Sequence, residues 1–209
     1  MRLTADGVPV VFHDTTLARA TGGVDARAVH TVAYAELPPL RGGERIPRLS
    51  EALDALRNRL VNVEIKADVA VASRLGDVRQ RLRLVRATAA VVKQARSVEV
   101  VFSSFDPLMV VALAAVLPRT PRAILVGTST PRVATALPLA MRAAVVAAHL
   151  DETLLTRARV ERLLRAGLRV AAWTVNDPAR AEALVALGVG WIITDVPASI
   201  VGAISRRRT

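Results

Sequence analysis

Three side chains of this sequence have the chemistry to act on an anion. His13 closes the apolar run Val8-Pro9-Val10-Val11-Phe12 and is followed by Asp14. Glu64 and Lys66 stand two apart in Val61-Asn62-Val63-Glu64-Ile65-Lys66, and in an extended strand both then point to one face. A carboxylate and an ammonium inside an apolar strand are costly to bury without a purpose; an internal ion pair is the plain alternative to a site. Imidazole carries a proton near neutral pH, carboxylate oxygen holds hard divalent cations, and an ammonium neutralises a phosphate oxygen. Together they point to chemistry on a phosphoryl or carboxyl substrate.

The elements that must position these groups follow one rhythm. From residue 61 onward, short apolar strands alternate with helical patterns. Val61–Lys66 is a strand, followed by a helical stretch from Ala67 to Ala95. Strands at Val98–Phe105, Ala123–Val126, Ala144–Ala148, Arg169–Val175 and Trp191–Thr194 come next, each followed by a helix. Asp106-Pro107, Thr130-Pro131 and Asp177-Pro178 read as helix starts, a capping side chain before a proline at the first helical position. Val160, Leu163 and Leu164 share a helix face that Gly167 ends, and Ala181, Leu184 and Val185 face inward in the next helix. Upstream lie a strand at Val8–Phe12 and a helix over Ser50–Leu60, with Leu49, Leu53, Leu56 and Leu60 on one stripe.

Continuous rather than alternating apolar strands are buried on both faces, as in a parallel sheet covered by helices. Seven such steps fit an open doubly wound sheet or most of an eightfold barrel. No glycine-rich phosphate loop follows any strand, which favours the barrel over a nucleotide-binding sheet. The expected fold is therefore α/β: a single domain, residues 1–209, forming a (β/α)8 TIM barrel that lacks its first βα unit. In such a barrel the site lies at the C-terminal ends of the strands. His13-Asp14, Glu64, Lys66, Ser103 to Asp106, His149, Trp173 to Asn176 and Thr194-Asp195 all fall there. A lone histidine such as His13 or His149 is as readily a core residue as a functional one.

Composition removes other classes. With 52% hydrophobic residues and no cysteine among 209, the chain is neither disordered nor a disulfide-stapled mini-protein. Its longest uncharged apolar runs stop near a dozen residues, short of the roughly 20 a transmembrane helix needs. Residues 1–7 carry no apolar signal segment, so the cytoplasm is the expected compartment unless an upstream extension carries one. The net charge of +11 invites a nucleic-acid reading. However, 27 of the 29 basic residues are arginines scattered along the helices, and aromatics are 3%. Without a clustered basic face or stacking platforms, no specific nucleic-acid partner is expected. Oligomeric state cannot be read from the sequence.

The motifs go further. Leu3-Thr4-Ala5-Asp6-Gly7-Val8-Pro9-Val10-Val11-Phe12-His13-Asp14 with Leu17 and Arg19 resembles the LTxDGxxVVxHDxxLxR signature of the glycerophosphodiester phosphodiesterase family. Ile46 to Leu53 resembles its IPxLxEaL element, Val63 to Lys66 its EIK strand, and Phe102 to Asp106 its SF-Asp step. Trp173 to Asn176 and Ile193 to Asp195 with Pro197 are similar to its WTVN and ITDxP endings. Each is weak alone; in this order they cover nearly the whole chain. The resemblance implies metal-dependent hydrolysis of deacylated phospholipids, such as glycerophosphocholine, to glycerol 3-phosphate and an alcohol. It implies His13 as one of two catalytic histidines acting as acid and base, and Glu64 as a ligand of a divalent cation, Ca2+ or Mg2+. Lys66 would be a phosphate contact and Trp173 a wall of the site.

The resemblance also marks what is missing. The family opens with a strand carrying HRG, then a PENT segment, then ExDV directly before the LTxDG signature. Met1 falls at the valine of ExDV, and none of the preceding motifs is present. The shortfall is one βα unit plus the start of the second strand, in line with the roughly 250 residues of a full barrel. A GTG codon can serve as a start, and the expectation is a reading frame that begins upstream. Gly190-Trp191 is a smaller departure, where the family commonly has Asp-Gly. The 209-residue chain is expected to show little phosphodiesterase activity. The competing expectations are a non-catalytic barrel remnant that binds phosphorylated ligands, and a related phospholipase-type phosphodiesterase.

Overall fold

The computed structural model describes residues 1–66, 75–95, 97–129 and 133–206. Part of the long helix expected from Ala67, and the Thr130-Pro131 helix start, lie outside the described residues. The chain forms two units, Met1–Thr120 and Pro121–Thr209.

The first unit opens with β1 (Arg2–Leu3) and β2 (Pro9–Val10), a short antiparallel pair with Arg2 opposite Val10. Gly7 makes the turn between them at φ +84°, a conformation that costs glycine nothing. Asp6 accepts hydrogen bonds from the Thr4 hydroxyl and the Tyr34 amide, so the signature's Thr and Asp shape the hairpin. Residues 11–48 follow with little regular structure. Val10, Leu17, Val29, Val32 and Ile46 bury together as a small core beneath this segment.

Helix α1 (Leu49–Ala55), strand β3 (Leu60–Glu64), helix α2 (Leu75–Gln94), strand β4 (Glu99–Ser104) and helix α3 (Pro107–Val116) complete the unit. β3 and β4 pair in parallel, from Leu60 beside Glu99 to Glu64 beside Ser103. Val63 and Ile65 join Leu49, Leu53, Phe102 and Met109 in the main core. Glu64 and Lys66 consequently face the other way. The α1 helix ends earlier than its leucine stripe suggests. Asn58 takes a left-handed φ of +60° and donates its amide to the Ser97 carbonyl, turning the chain into β3. Leu56 and Leu60 are left exposed.

The second unit repeats the βα step. β5 (Arg122–Val126), β6 (Ala147–Asp151), β7 (Arg169–Trp173) and β8 (Trp191–Ile192) run parallel, each paired with the next. Helices α4 (Ala136–Ala140), α5 (Arg157–Arg165), α6 (Pro178–Ala186) and α7 (Pro197–Arg206) follow them in turn. Asp106 and Asp177 cap α3 and α6 as their Asp-Pro pairs predict. The strand expected at Ala144 starts at Ala147 instead, because Met141–Ala144 close a turn in which Ala144 donates to the Met141 carbonyl. His149 therefore lies within β6 and not at its end. Leu164, expected on one face with Val160 and Leu163, and Val185, expected inward, stay partly exposed. Among the described residues no helix is long and apolar enough to cross a membrane.

Candidate active site

His13, Glu64 and Lys66 meet in the first unit, although 53 residues separate His13 from Lys66. The chain's opening residues do the joining. The Met1 nitrogen donates to the Glu64 carbonyl, and the Lys66 amide donates to the Met1 carbonyl. That is the slanted pattern of a parallel ladder, so Met1 runs beside the end of β3 and β1 carries the chain on to the hairpin. His13 follows β2, where Val11 donates to the Pro47 carbonyl and holds the exit of the strand.

The Lys66 ammonium lies 2.7 Å from His13 Nε2 and 3.3 Å from Glu64 Oε1. On the other side of the ring, His13 Nδ1 is 2.8 Å from Asp14 Oδ1. Arg19 grips the same carboxylate twice, Nε to Oδ2 at 2.6 Å and Nη2 to Oδ1 at 3.0 Å. Hydrogen bonds from Arg19 and then from His13 hold the Asp14 carboxyl well below the usual carboxylate range, which favours its charged form. An ammonium can only donate. The contact with Lys66 thus assigns an acceptor lone pair to Nε2 and the ring proton to Nδ1, directed at Asp14. This is a base held in one tautomer by a carboxylate behind it, the arrangement in which imidazole moves protons.

His13 is largely exposed, with 72% of its side chain open, whereas Lys66 shows 17%. A cavity of about 370 Å3 opens beside them, bordered by Met1, Phe12, His13, Leu53, Glu64 and Lys66. That volume is ordinary for a small-molecule site. Sequence reasoning missed Arg2, which is 6% exposed. Its Nη2 donates to the His13 carbonyl at 3.0 Å, and its Nη1 reaches the Lys66 carbonyl at 3.5 Å. No local pattern marks it; an arginine in a short strand reads as surface.

Other candidates have structural duties. The Ser104 hydroxyl donates to the Ile65 carbonyl and accepts from the Asp106 amide, tying the ends of β3 and β4 together. In the second unit, Trp173 donates its indole N–H to the His149 carbonyl at 3.1 Å. Asn176 Oδ1 accepts from the Thr194 hydroxyl and the Asp195 amide, while its Nδ2 donates to the Asp195 carboxylate. The WTVN and ITD segments thus brace one another. His149 is fully buried, with its ring edge toward Trp191 at 5.8 Å, and burial pushes its pKa down to about 4.

Known proteins share this fold. The sequence profile of the glycerophosphoryl diester phosphodiesterase family matches residues 1–199. The chain belongs to that family. Its members are phosphoric diester hydrolases. YhdW of Bacillus subtilis, named as a candidate glycerophosphodiester phosphodiesterase, is 25% identical over 214 residues, spanning 96% of this chain and 82% of that protein. Among solved structures, a phosphodiesterase of Oleispira antarctica, in complex with its product sn-glycerol-3-phosphate, is similar with a TM-score of 0.82 and 25% identity. The match covers 98% of this chain and 82% of that one. A candidate glycerophosphoryl diester phosphodiesterase of Silicibacter pomeroyi gives a TM-score of 0.81 at 26% identity, over 99% and 81% of the two chains. The expected fold holds: parallel strands and helices that belong to a partial (β/α)8 barrel.

Glycerophosphoryl diester phosphodiesterases generally depend on a divalent cation. Glu64 Oε1 is buried and accepts no hydrogen bond, which suits one oxygen ligand. The rest of a ligand set is not among the described residues. Among the described residues no group of three His, Cys, Asp or Glu could hold a metal ion, and the Lys66 ammonium already faces that oxygen. Ca2+ takes six to eight oxygens, so the described side chains do not fit a cation held by them alone.

Proposed function

We propose that this site binds glycerophosphodiesters, the deacylated phospholipids, through Lys66, and that His13 moves the proton during hydrolysis to glycerol 3-phosphate and an alcohol. The observation that carries the reading is the Lys66 Nζ contact with His13 Nε2 at 2.7 Å, with Asp14 on the far ring nitrogen. When a phosphodiester enters, the ammonium leaves Nε2 for a non-bridging phosphate oxygen, a charge-assisted pairing stronger than the one it gives up. Nε2 is then uncovered beside the scissile bond. Holding a proton there, it protonates the departing alkoxide, which is otherwise a poor leaving group; without one, it draws a proton from attacking water. Asp14 keeps the ring oriented and stabilises the imidazolium as it forms. Glu64 would contribute one oxygen ligand to a divalent cation, Ca2+ or Mg2+, completed by groups outside the described residues, and that cation would draw charge from the phosphoryl oxygens.

The 209-residue chain on its own turns over slowly, because the site assembles, from the described residues, one histidine and one carboxylate oxygen that already faces the Lys66 ammonium. A second reading, a barrel that binds phosphorylated ligands without hydrolysing them, is favoured by the same missing ligand set. Calorimetric titration with sn-glycerol 3-phosphate, paired with release of choline from glycerophosphocholine in Ca2+ or Mg2+, separates the readings. Binding that Lys66→Ala abolishes supports the assigned site. Absence of any binding overturns it. Rapid metal-dependent turnover by this chain would remove the second reading and the expectation of low activity together.

A further inference from the structure

Lys66 and His13 come from distant parts of the chain, and something must fix the distance between them. His13 sits on an irregular segment after β2, and Lys66 sits just past the end of β3. The backbone ladder through Met1 reaches Glu64 and Lys66 but does not reach His13. The link to His13 is Arg2. Its side chain, 6% exposed, spreads over both backbones. Nε and Nη2 donate to the His13 carbonyl at 3.3 and 3.0 Å, Nη1 to the Lys66 carbonyl at 3.5 Å, and Nη2 to Thr15 Oγ1 at 3.4 Å. A guanidinium suits this task because its donors lie in one rigid plane, so gripping one carbonyl fixes the direction toward the other.

We propose that Arg2 is a positioning residue: its buried guanidinium ties the His13 carbonyl to the Lys66 carbonyl and so sets the imidazole–ammonium contact. The proposal rests on the reading of His13 and Lys66 as the active site. Arg2 touches no substrate; it acts through the two residues that do. Lysine cannot replace it, since an ammonium is a point donor on a flexible stem. With the tie lost, the backbone that presents the ring shifts, so His13 drifts from Lys66 and loosens its Nδ1–H contact with Asp14, and neither partner then fixes the tautomer.

The test reads the ring directly. Nitrogen-15 NMR of the imidazoles at alkaline pH distinguishes the Nδ1–H from the Nε2–H tautomer. The wild-type chain is expected to hold His13 mainly as Nδ1–H. Arg2→Met is expected to move it to the mixture of a free imidazole, rich in Nε2–H, and to weaken sn-glycerol 3-phosphate binding about tenfold. Arg2→Lys is expected to fall between. Thermal melts of both variants establish folding. A folded Arg2→Met whose His13 spectrum matches wild type overturns the proposal. Loss of folding in both variants also overturns it, making Arg2 part of the scaffold. If the wild type binds no glycerol 3-phosphate while the tautomer still depends on Arg2, the positioning role stands and the functional reading falls.

Discussion

Arg81 and Asp106 form an ion pair inside the first unit, Nε to Oδ2 at 2.6 Å, with side chains 5% and 7% exposed. The same aspartate caps α3 by accepting from the Leu108 amide. One carboxylate therefore fastens α2, where Arg81 sits, to the start of α3.

Breaking that pair leaves a buried charge without compensation. Arg81→Met and Asp106→Ala should each cost about 3–5 kcal/mol, measured as a lower midpoint in urea. The aspartate variant also loses its cap, typically about 1 kcal/mol. The double variant should be less damaging than the sum of the two, because the second substitution removes the stranded partner.

The proposed chemistry is read most simply at His13. His13→Ala should lower turnover of glycerophosphocholine about 10²-fold or more in any active form of the protein. The melting temperature should hardly change, since the exposed ring supports little packing. Unaltered turnover would remove His13 from the mechanism.

Glu64 and Lys66 should separate in kinetics. Glu64→Gln is expected to raise the divalent-cation concentration needed for half-maximal rate, with the fold intact. Lys66→Ala is expected to raise KM more than it lowers kcat, because its contact is made to bound phosphate as well as to the transition state. A titration of rate against Ca2+ and Mg2+ checks the first, and saturation curves check the second.

His149 predicts an acid limit to stability. Burial lowers its folded-state pKa to about 4 from an ordinary 6.5. A depressed histidine contributes stability that is fully present above pH 6.5 and is lost as pH falls through 4, because the unfolded chain takes up the proton first. The size is on the order of 3 kcal/mol. Urea midpoints between neutral pH and pH 4 should fall in the wild type, and fall less in His149→Phe.

What the sequence discloses is what short-range physics decides. Asp106-Pro107 and Asp177-Pro178 announce helices because a cap and a fixed φ act within one turn. Glu64 and Lys66 share a face because strands alternate. The parallel sheet follows from strands apolar on both sides. Leu56 misleads, since a leucine stripe is blind to the left-handed turn at Asn58 that stops the helix. Ala144 misleads because alanine and valine suit a turn's end and a strand's start alike. Arg2 and Arg81 are invisible in the sequence: their partners are distant, and scattered arginines resemble solvated ones. His13 is a candidate by its place after a strand, but its pairing with Lys66 exists only once the chain has folded.

The small core under residues 11–48 changes how the site should move. Leu17 and Val29 are wholly buried there, and their amides donate to the Arg27 and Thr15 carbonyls. A segment with scarcely any helix or strand should therefore exchange its amide hydrogens as slowly as a sheet does. That makes the stretch bearing His13 an anvil and not a flap. Ligand traffic would proceed past a stationary backbone, with the swing of Lys66 as the moving part.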